Sequence, residues 1–225
     1  MKRLLPIIPI LLGSGCGSLD TEYPEAVRIF QWYVYEYQVT ADRTVGRALF
    51  AIDNPLNPPL QIKPPASFKI NGIEPDFNPG DSLPYTVVLE GLNDLGLFVY
   101  VDENRRQFTN IANLGNARSI GIPDSLSPIP ASDDFTLTWQ GSPLAGGDVI
   151  SLQIEGSGGE MRSYRLTEIG TTGFTIPVAD IKALGPGPST WTISRTSPIP
   201  MQDTNPVGGR LFLRFTYGPL SLLME

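Results

Sequence analysis

Residues 26–39 read AVRIFQWYVYEYQV, and this stretch decides the fold class. Aromatic and β-branched residues dominate it, which is typical of β-strands. Alternation at a period of two places Phe30, Trp32 and Val34 on one face and Tyr33, Tyr35 and Tyr37 on the other. A helix is the alternative, because Pro24 could occupy its first turn. The dense aromatic run favours the strand.

Short strand-like segments recur along the rest of the chain, separated by turns rich in Gly, Pro or Asn. We expect strands at residues 44–52, 67–72, 85–89, 118–122, 134–139, 148–154, 161–166, 173–176, 189–194 and 209–217, a hairpin over 97–110 with its turn at 102–105, and one helical turn over 178–184. The Asn71-Gly72 pair that ends one segment is a strong turn signal.

This spacing predicts an all-β protein with two tandem Ig-like β-sandwich domains. The first domain would span residues 25–125 and the second residues 126–225, with the boundary in the segment that carries Pro128 and Pro130. A loose internal echo supports two units, because Phe68 and Phe135 each precede a Gly-Asp pair by the same interval.

The N-terminus reads MKRLLPIIPILLGSGC, with two cations, an apolar run and small residues that lead to Cys16, the one cysteine of the chain. This order is that of a secretory signal peptide, which would span residues 1–15, followed by a tether over residues 16–24. The ending resembles the lipobox of bacterial lipoproteins, and the resemblance implies lipidation of Cys16 and a membrane as partner. The alternative is an ordinary secretory peptide that leaves Cys16 a free thiol.

The resemblance widens over the mature chain. The lipobox-like start, the SFKING segment from Ser67, the VYVD segment from Val99 and the second β-rich half are similar to Bacteroidota surface lipoproteins with tandem Ig-like or fibronectin-III-like domains. That family implies an exported protein, lipid-anchored to the cell envelope and most simply to the outer membrane. It supplies no catalytic residue.

Composition limits the partners and the chemistry. The formal net charge is −7, which argues against nucleic acid because phosphate binding needs a basic surface. The sequence contains no histidine, so histidine-based nucleophile systems and histidine zinc sites are excluded. A glycan hydrolase needs only two carboxylates and stays open as the alternative function, as does a carbohydrate-binding accessory role.

Acidic residues at two predicted turns are the candidates for such chemistry. Asp102, Glu103, Asp133 and Asp134 could serve a hydrolase, or calcium, which prefers oxygen ligands. Neither pair has EF-hand spacing, and Asp in turns commonly hydrogen-bonds its own backbone. We therefore expect no catalytic residue, no metal and no cofactor.

Aromatic residues are the candidates for ligand binding. Tyr33, Tyr35 and Tyr37 could form a stacking platform for sugar rings, and Trp139 and Trp191, with Trp32, could stack on a sugar or anchor a protein. The alternative, favoured by the pattern, is that these rings fill the sandwich cores. The sequence thus predicts a non-catalytic surface protein that binds or spaces, with a glycan or an envelope protein as partner.

Overall fold

The computed structural model describes residues 28–123, 126 and 128–225. Within this part of the chain there are thirteen β-strands, one α-helix and a short 3-10 helix, so the all-β prediction is confirmed. The strands are β1 Ile29–Gln38, β2 Arg43–Ile52, β3 Ser67–Ile70, β4 Asp76–Phe77, β5 Tyr85–Glu90, β6 Leu95–Val101, β7 Gln107–Asn113, β8 Phe135–Thr138, β9 Val149–Glu155, β10 Met161–Leu166, β11 Gly173–Ile176, β12 Gly187–Ile199 and β13 Gly209–Met224. The helix α1 spans Val178–Leu184, and the 3-10 helix spans Leu114–Asn116.

One eight-stranded sheet runs through the described part of the molecule in the order β10-β9-β12-β13-β1-β2-β5-β4. Its pairings are antiparallel except that of β1 with β13, which run parallel over eight registered pairs. Two smaller sheets complete the structure, β3-β6-β7 and β8-β11. The first and the last strands of the described chain are therefore direct neighbours.

Two hydrophobic clusters lie against this sheet. The first is built from β1, β2, β5 and the three-stranded sheet, and its largest fully buried side chains include Phe50, Phe98 and Tyr100. The second is built from β9, β12, α1 and the β8–β11 pair, around Trp191. Each small sheet packs over one half of the large sheet. The result is two sandwich-like regions that share one continuous sheet.

Strand β13 belongs to both clusters. Leu211 and Leu213 are buried in the first cluster and Met224 in the second, while Phe215 packs against both. The predicted boundary at residues 125 and 126 places all of these residues in the second half. Local alternation identifies β13 as a strand but does not reveal which neighbours it pairs with, so the division into two Ig-like domains stays a prediction.

A bulge keeps one face of β13 towards the interior along its whole length. Trp191 of β12 lies opposite Leu220, and Ile193 lies opposite Tyr217, so two residues of β13 stand against one of β12. The bulge shifts the inward–outward alternation of β13 by one position. Leu220 therefore points inward like Tyr217, whereas in an unbroken strand Pro219 would take the inward position.

The edge of the three-stranded sheet is covered by the loop that precedes β13. The Gln202 side-chain oxygen accepts the Ile111 N–H at 2.7 Å, and the Asp203 carboxylate accepts the Thr109 N–H at 3.3 Å. The buried Asn110 side chain accepts the Gln202 N–H at 2.9 Å from the other side. Side chains thus replace a further strand beside β7.

Several local predictions can be compared with the structure. Asn71 and Gly72 both have positive φ, and Ile70 and Ile73 exchange two backbone hydrogen bonds of 2.9 Å around them, as in a type I′ turn. The predicted strand at residues 118–122 is wrong, since only Gly121 forms a bridge, to Gln140. Strands β12 and β13 are longer than predicted because their prolines did not end them.

Candidate functional site

The predicted tyrosine platform is mostly core. Tyr33 and Tyr35 are 0% exposed, and the Tyr33 ring stacks on Phe98 at 4.8 Å between ring centroids. The Tyr35 hydroxyl donates to the Leu95 carbonyl oxygen at 3.0 Å. Burial raises the pKa of both phenols. These rings fill the first cluster and present no face to a ligand.

Tyr37 lies at the end of the same row and is half-buried. Its hydroxyl donates to the Asp42 carboxylate at 2.7 Å, and this hydrogen bond raises the pKa of Tyr37. Its ring meets Phe215 edge-on at 6.1 Å. The Tyr37 ring is thus held by the turn between β1 and β2, and it does not join the other two tyrosines in a common exposed surface.

The two predicted tryptophans of the second half are also core. Trp191 is 0% exposed, and its indole N–H donates to the Ser189 hydroxyl at 2.8 Å. Trp139 is 4% exposed, and its N–H donates to the Ser142 carbonyl oxygen at 3.3 Å. Both indole N–H groups are satisfied within the protein, as buried tryptophans require. We assign both residues to packing, the alternative that the sequence favoured.

Two of the candidate acids hold backbone groups. The Asp102 carboxylate accepts the Arg106 N–H at 2.8 Å and the Arg106 Nε at 2.7 Å across the β6–β7 turn. Asp134 accepts the Val178 N–H at 2.8 Å, at the start of α1. Turn and helix-end chemistry therefore accounts for both. In residues 28–123, 126 and 128–225, no group of three or more Cys, Asp or Glu side chains is placed to hold a metal ion.

Cys16 and the predicted signal peptide and tether lie outside the described residues. No helix in the described part of the chain is long and apolar enough to cross a membrane.

The strongest candidate site is on the outer face of the large sheet, opposite the first cluster. We name the set of Phe30, Trp32, Arg210 and Phe212 the aromatic face. Trp32 lies beside Phe212 at 5.6 Å and beside Phe30 at 6.4 Å between ring centroids. The Arg210 guanidinium lies over the Trp32 ring at 5.7 Å, within the range of a cation–π contact.

Strand register explains this grouping. Trp32 is paired with Arg210, and Val34 with Phe212, across the parallel β1–β13 ladder. Directly paired residues share a face of the sheet, so side chains from opposite ends of the sequence meet. Trp32 and Phe212 are partly exposed, unlike Trp139 and Trp191. A shallow groove of about 340 Å³ borders the aromatic face and is lined by Arg210, Phe212 and the segment around Pro200.

An ionic cluster follows the aromatic face along the same strands. The Glu36 carboxylate pairs with Arg47 of β2 and accepts the Thr216 hydroxyl at 2.6 Å, and it is 4% exposed. Burial alone would raise the pKa of Glu36, but the hydrogen bond from Thr216 and the charge of Arg47 outweigh it and lower the pKa. Glu36 is therefore held ionised as a structural link between three strands.

A second groove of about 400 Å³ lies beside β4 and β5 and is lined by the acids Glu74, Asp76 and Asp81. Asn78 at its rim donates to the Asp81 carboxylate at 3.1 Å and closes a local turn. The groove is shallow and acidic. It is a weaker candidate than the aromatic face.

Sequence reasoning found only half of the aromatic face. Alternation placed Phe30 and Trp32 on a face separate from the tyrosines, which the structure confirms. Arg210 and Phe212 were missed as partners because their contact with Trp32 depends on the pairing of the first strand with the last. A signal was present in the alternation LFLRF from residue 211, which puts Phe212 opposite to the two buried leucines.

Comparisons with known proteins give no family. No protein-family model matches the sequence, and no curated protein matches it. One solved structure, from work on host cell surface retention of a 1.5-MDa bacterial ice-binding adhesin, is 12% identical, with 88% of this chain and 65% of that chain covered and a TM-score of 0.25. Another, a tetra-tandem repeat in the extending region of a large adhesion protein, is 14% identical, with 88% and 50% covered and a TM-score of 0.25. This chain thus spans at most 65% of either one, and likeness at this level transfers neither a fold nor a function.

Proposed function

We propose that this protein is a non-catalytic, lipid-anchored envelope protein that acts as a spacer and binding module. The observation that carries the proposal is the continuous sheet with its two ends. Strand β1 begins beside Gly209 at the first cluster, and β13 ends at Met224 in the second cluster. Strand β1 therefore begins at one end of the scaffold, and β13 reaches the other end.

The dimensions fit a spacer. A strand rises by about 3.3 Å per residue, so the 16 residues of β13 span roughly 50 Å. The 13 residues from Cys16 to Arg28 can extend by at most about 45 Å. An acyl anchor at Cys16 would hold the first cluster near the membrane and display the second cluster farther out.

The aromatic face supplies the binding surface of this proposal. Tryptophan and arginine are enriched among the residues that dominate binding energy at protein interfaces, and aromatic rings also stack on sugars. We favour a glycan or another envelope protein as the partner. A carboxylate-based hydrolase would need two carboxylates about 5–10 Å apart across a substrate cleft. The carboxylates of Asp102 and Asp134 instead accept hydrogen bonds from backbone N–H groups, which supports a non-catalytic role.

The anchor is tested by intact mass of the membrane-extracted protein together with sequencing of its N-terminal peptide. We expect a chain that begins at an acylated Cys16, and a Cys16→Ser variant that leaves the membrane fraction. A chain that begins elsewhere with a free thiol would refute the anchor while leaving the spacer geometry open.

The spacer is tested by small-angle scattering of the soluble protein. A compact chain of this length would have a radius of gyration of about 17 Å. We expect a larger value, because both clusters lie along one sheet. A value at the compact limit would contradict the extended scaffold.

The binding surface is tested by titrating soluble glycan fragments from the producing cell's envelope while recording tryptophan emission. Trp32 is the partly exposed tryptophan, so contact at the aromatic face should shift its emission. An Arg210→Ala variant should weaken the response, whereas Arg165→Ala, on β10 at the far edge of the large sheet, should not. An equal loss in both variants would argue against the aromatic face.

A further inference from the structure

The parallel pairing of the first and last described strands determines how the sheet responds to a pulling force. Strands β1 and β13 start at the same end of the sheet and run side by side from the Gln31–Gly209 pair to the Gln38–Thr216 pair. Residues before Ile29 leave from the start of β1, and Glu225 follows the far end of β13. Tension applied at these two ends pulls the two strands in opposite directions along their length.

Such tension loads the ladder in shear. The hydrogen bonds between parallel strands are evenly spaced, so sliding one strand past the other must break them together. Pulling both strands from the same end would instead open the bonds one at a time. Forced unfolding is governed by the height of the unfolding barrier, and the shear arrangement raises that barrier.

We infer that the β1–β13 ladder is a mechanical clamp that carries tension between the N-terminal tether and the far end of the scaffold. The biological source of that tension rests on the proposed anchor, but the clamp itself does not. In this role the protein is a connector that withstands tension as well as a passive spacer.

Contacts at both ends reinforce the ladder. At its start, the Asn205 side chain donates to the Ile29 carbonyl oxygen, and the Gln31 N–H donates to the Gly208 carbonyl oxygen at 3.4 Å. At its end, the Val39 N–H donates to the Thr216 carbonyl oxygen at 2.9 Å, and the Gly218 N–H donates to the Thr40 hydroxyl at 2.9 Å.

A buried side-chain link crosses the clamp near its far end, where Thr216 belongs to the last registered pair. Glu36 of β1 accepts the hydroxyl proton of Thr216 on β13 at 2.6 Å, and the same carboxylate pairs with Arg47 of β2. Sliding of β13 would expose this carboxylate and break a charge-assisted hydrogen bond, which is stronger than a neutral one. The link therefore adds to the resistance against shear.

The load path also protects the second cluster. Tension that enters at Glu225 passes along β13 and leaves through β1, which lies in the first cluster. Strand β12 pairs with β13 over the second cluster but is not pulled against it. The second cluster should keep its packing until the β1–β13 ladder fails.

Single-molecule force spectroscopy tests the clamp on the full, unlipidated chain. Cys16 provides a native thiol for one handle. The second handle is placed by Glu225→Cys for shear, or by Pro206→Cys, an exposed loop site just before β13, for peeling from the common end. Both variants should unfold at the same urea concentration, since both sites lie outside the strands.

At equal loading rate we expect a several-fold higher peak force for the Cys16–Glu225→Cys pair than for the Cys16–Pro206→Cys pair. A Thr216→Val substitution should lower the force in the first geometry more than in the second. Equal peak forces in the two geometries, or a higher force on peeling, would overturn the inference. Acylation of Cys16 plays no part in this result, so the failure of the clamp and the failure of the anchor are separate outcomes.

Discussion

Asp148→Ala should lower the stability of the half built around the second cluster more than most substitutions, because it leaves a buried cation without its counter-ion. Arg195 is 1% exposed, and its Nε and Nη2 donate to the Asp148 carboxylate at 2.8 and 2.6 Å. The remaining guanidinium bonds go to Ser142 and to the Pro143 carbonyl oxygen. Removal of the carboxylate leaves Nε without an acceptor and the positive charge without a counter-ion. Breaking a buried pair in this way costs about 3–5 kcal/mol.

Urea unfolding followed by circular dichroism measures this loss. The matched control is Glu160→Ala, whose carboxylate lies 3.7 Å from Arg162 and is 64% exposed, so that its loss should cost less than about 1 kcal/mol. The double variant Asp148→Ala, Arg195→Met should recover part of the stability because the unpaired charge is gone. If Asp148→Ala costs no more than Glu160→Ala, the pair does not stabilise the fold and the reasoning is refuted.

Three further outcomes are expected. Gly96→Ala should lower stability by about 1–3 kcal/mol, because a Cβ there would lie 2.6 Å from the buried Tyr35 ring, whereas Gly158→Ala, with no atom within 4 Å of its Cβ, should be near neutral in the same urea assay. Glu36 has a lowered pKa, so its contribution to stability is full above its ordinary value of 4.5 and is lost as the pH falls below it; Glu36→Gln should flatten this part of the stability–pH curve, and an unchanged slope would contradict the assignment. Trp32→Phe should remove most of the acrylamide-quenchable tryptophan emission, and strong quenching that persists would show that another indole is accessible.

Local patterns in the sequence were enough to find most strands. Alternation and turn chemistry located β1, the Asn71-Gly72 turn and the helical turn that becomes α1. These features depend on neighbours within a few residues, which the sequence shows directly. They also separated the inward face of β1 from its outward face, so the burial of Tyr33 and Tyr35 agrees with the core alternative.

Pairing between distant strands was beyond such reasoning. The eight-stranded sheet, the sharing of Leu211 and Leu213 with the first cluster, and the contact of Trp32 with Arg210 all depend on the β1–β13 register. Residues almost 180 positions apart meet there, and no local period encodes that meeting. The buried Arg195 was missed for the same reason, since a lone arginine in a strand reads as a solvent-exposed residue until its carboxylate partner is known.

The loop before β13, which covers the edge of β7, affects how neighbouring molecules can interact. Proteins tethered to a membrane are confined to two dimensions and meet each other often, so an open strand edge would invite neighbouring molecules to add their own strands. Gln202 and Asp203 already occupy the N–H groups of Ile111 and Thr109 along that edge. In the proposed membrane-anchored state, this cap would keep the β7 edge from pairing with strands of neighbouring molecules.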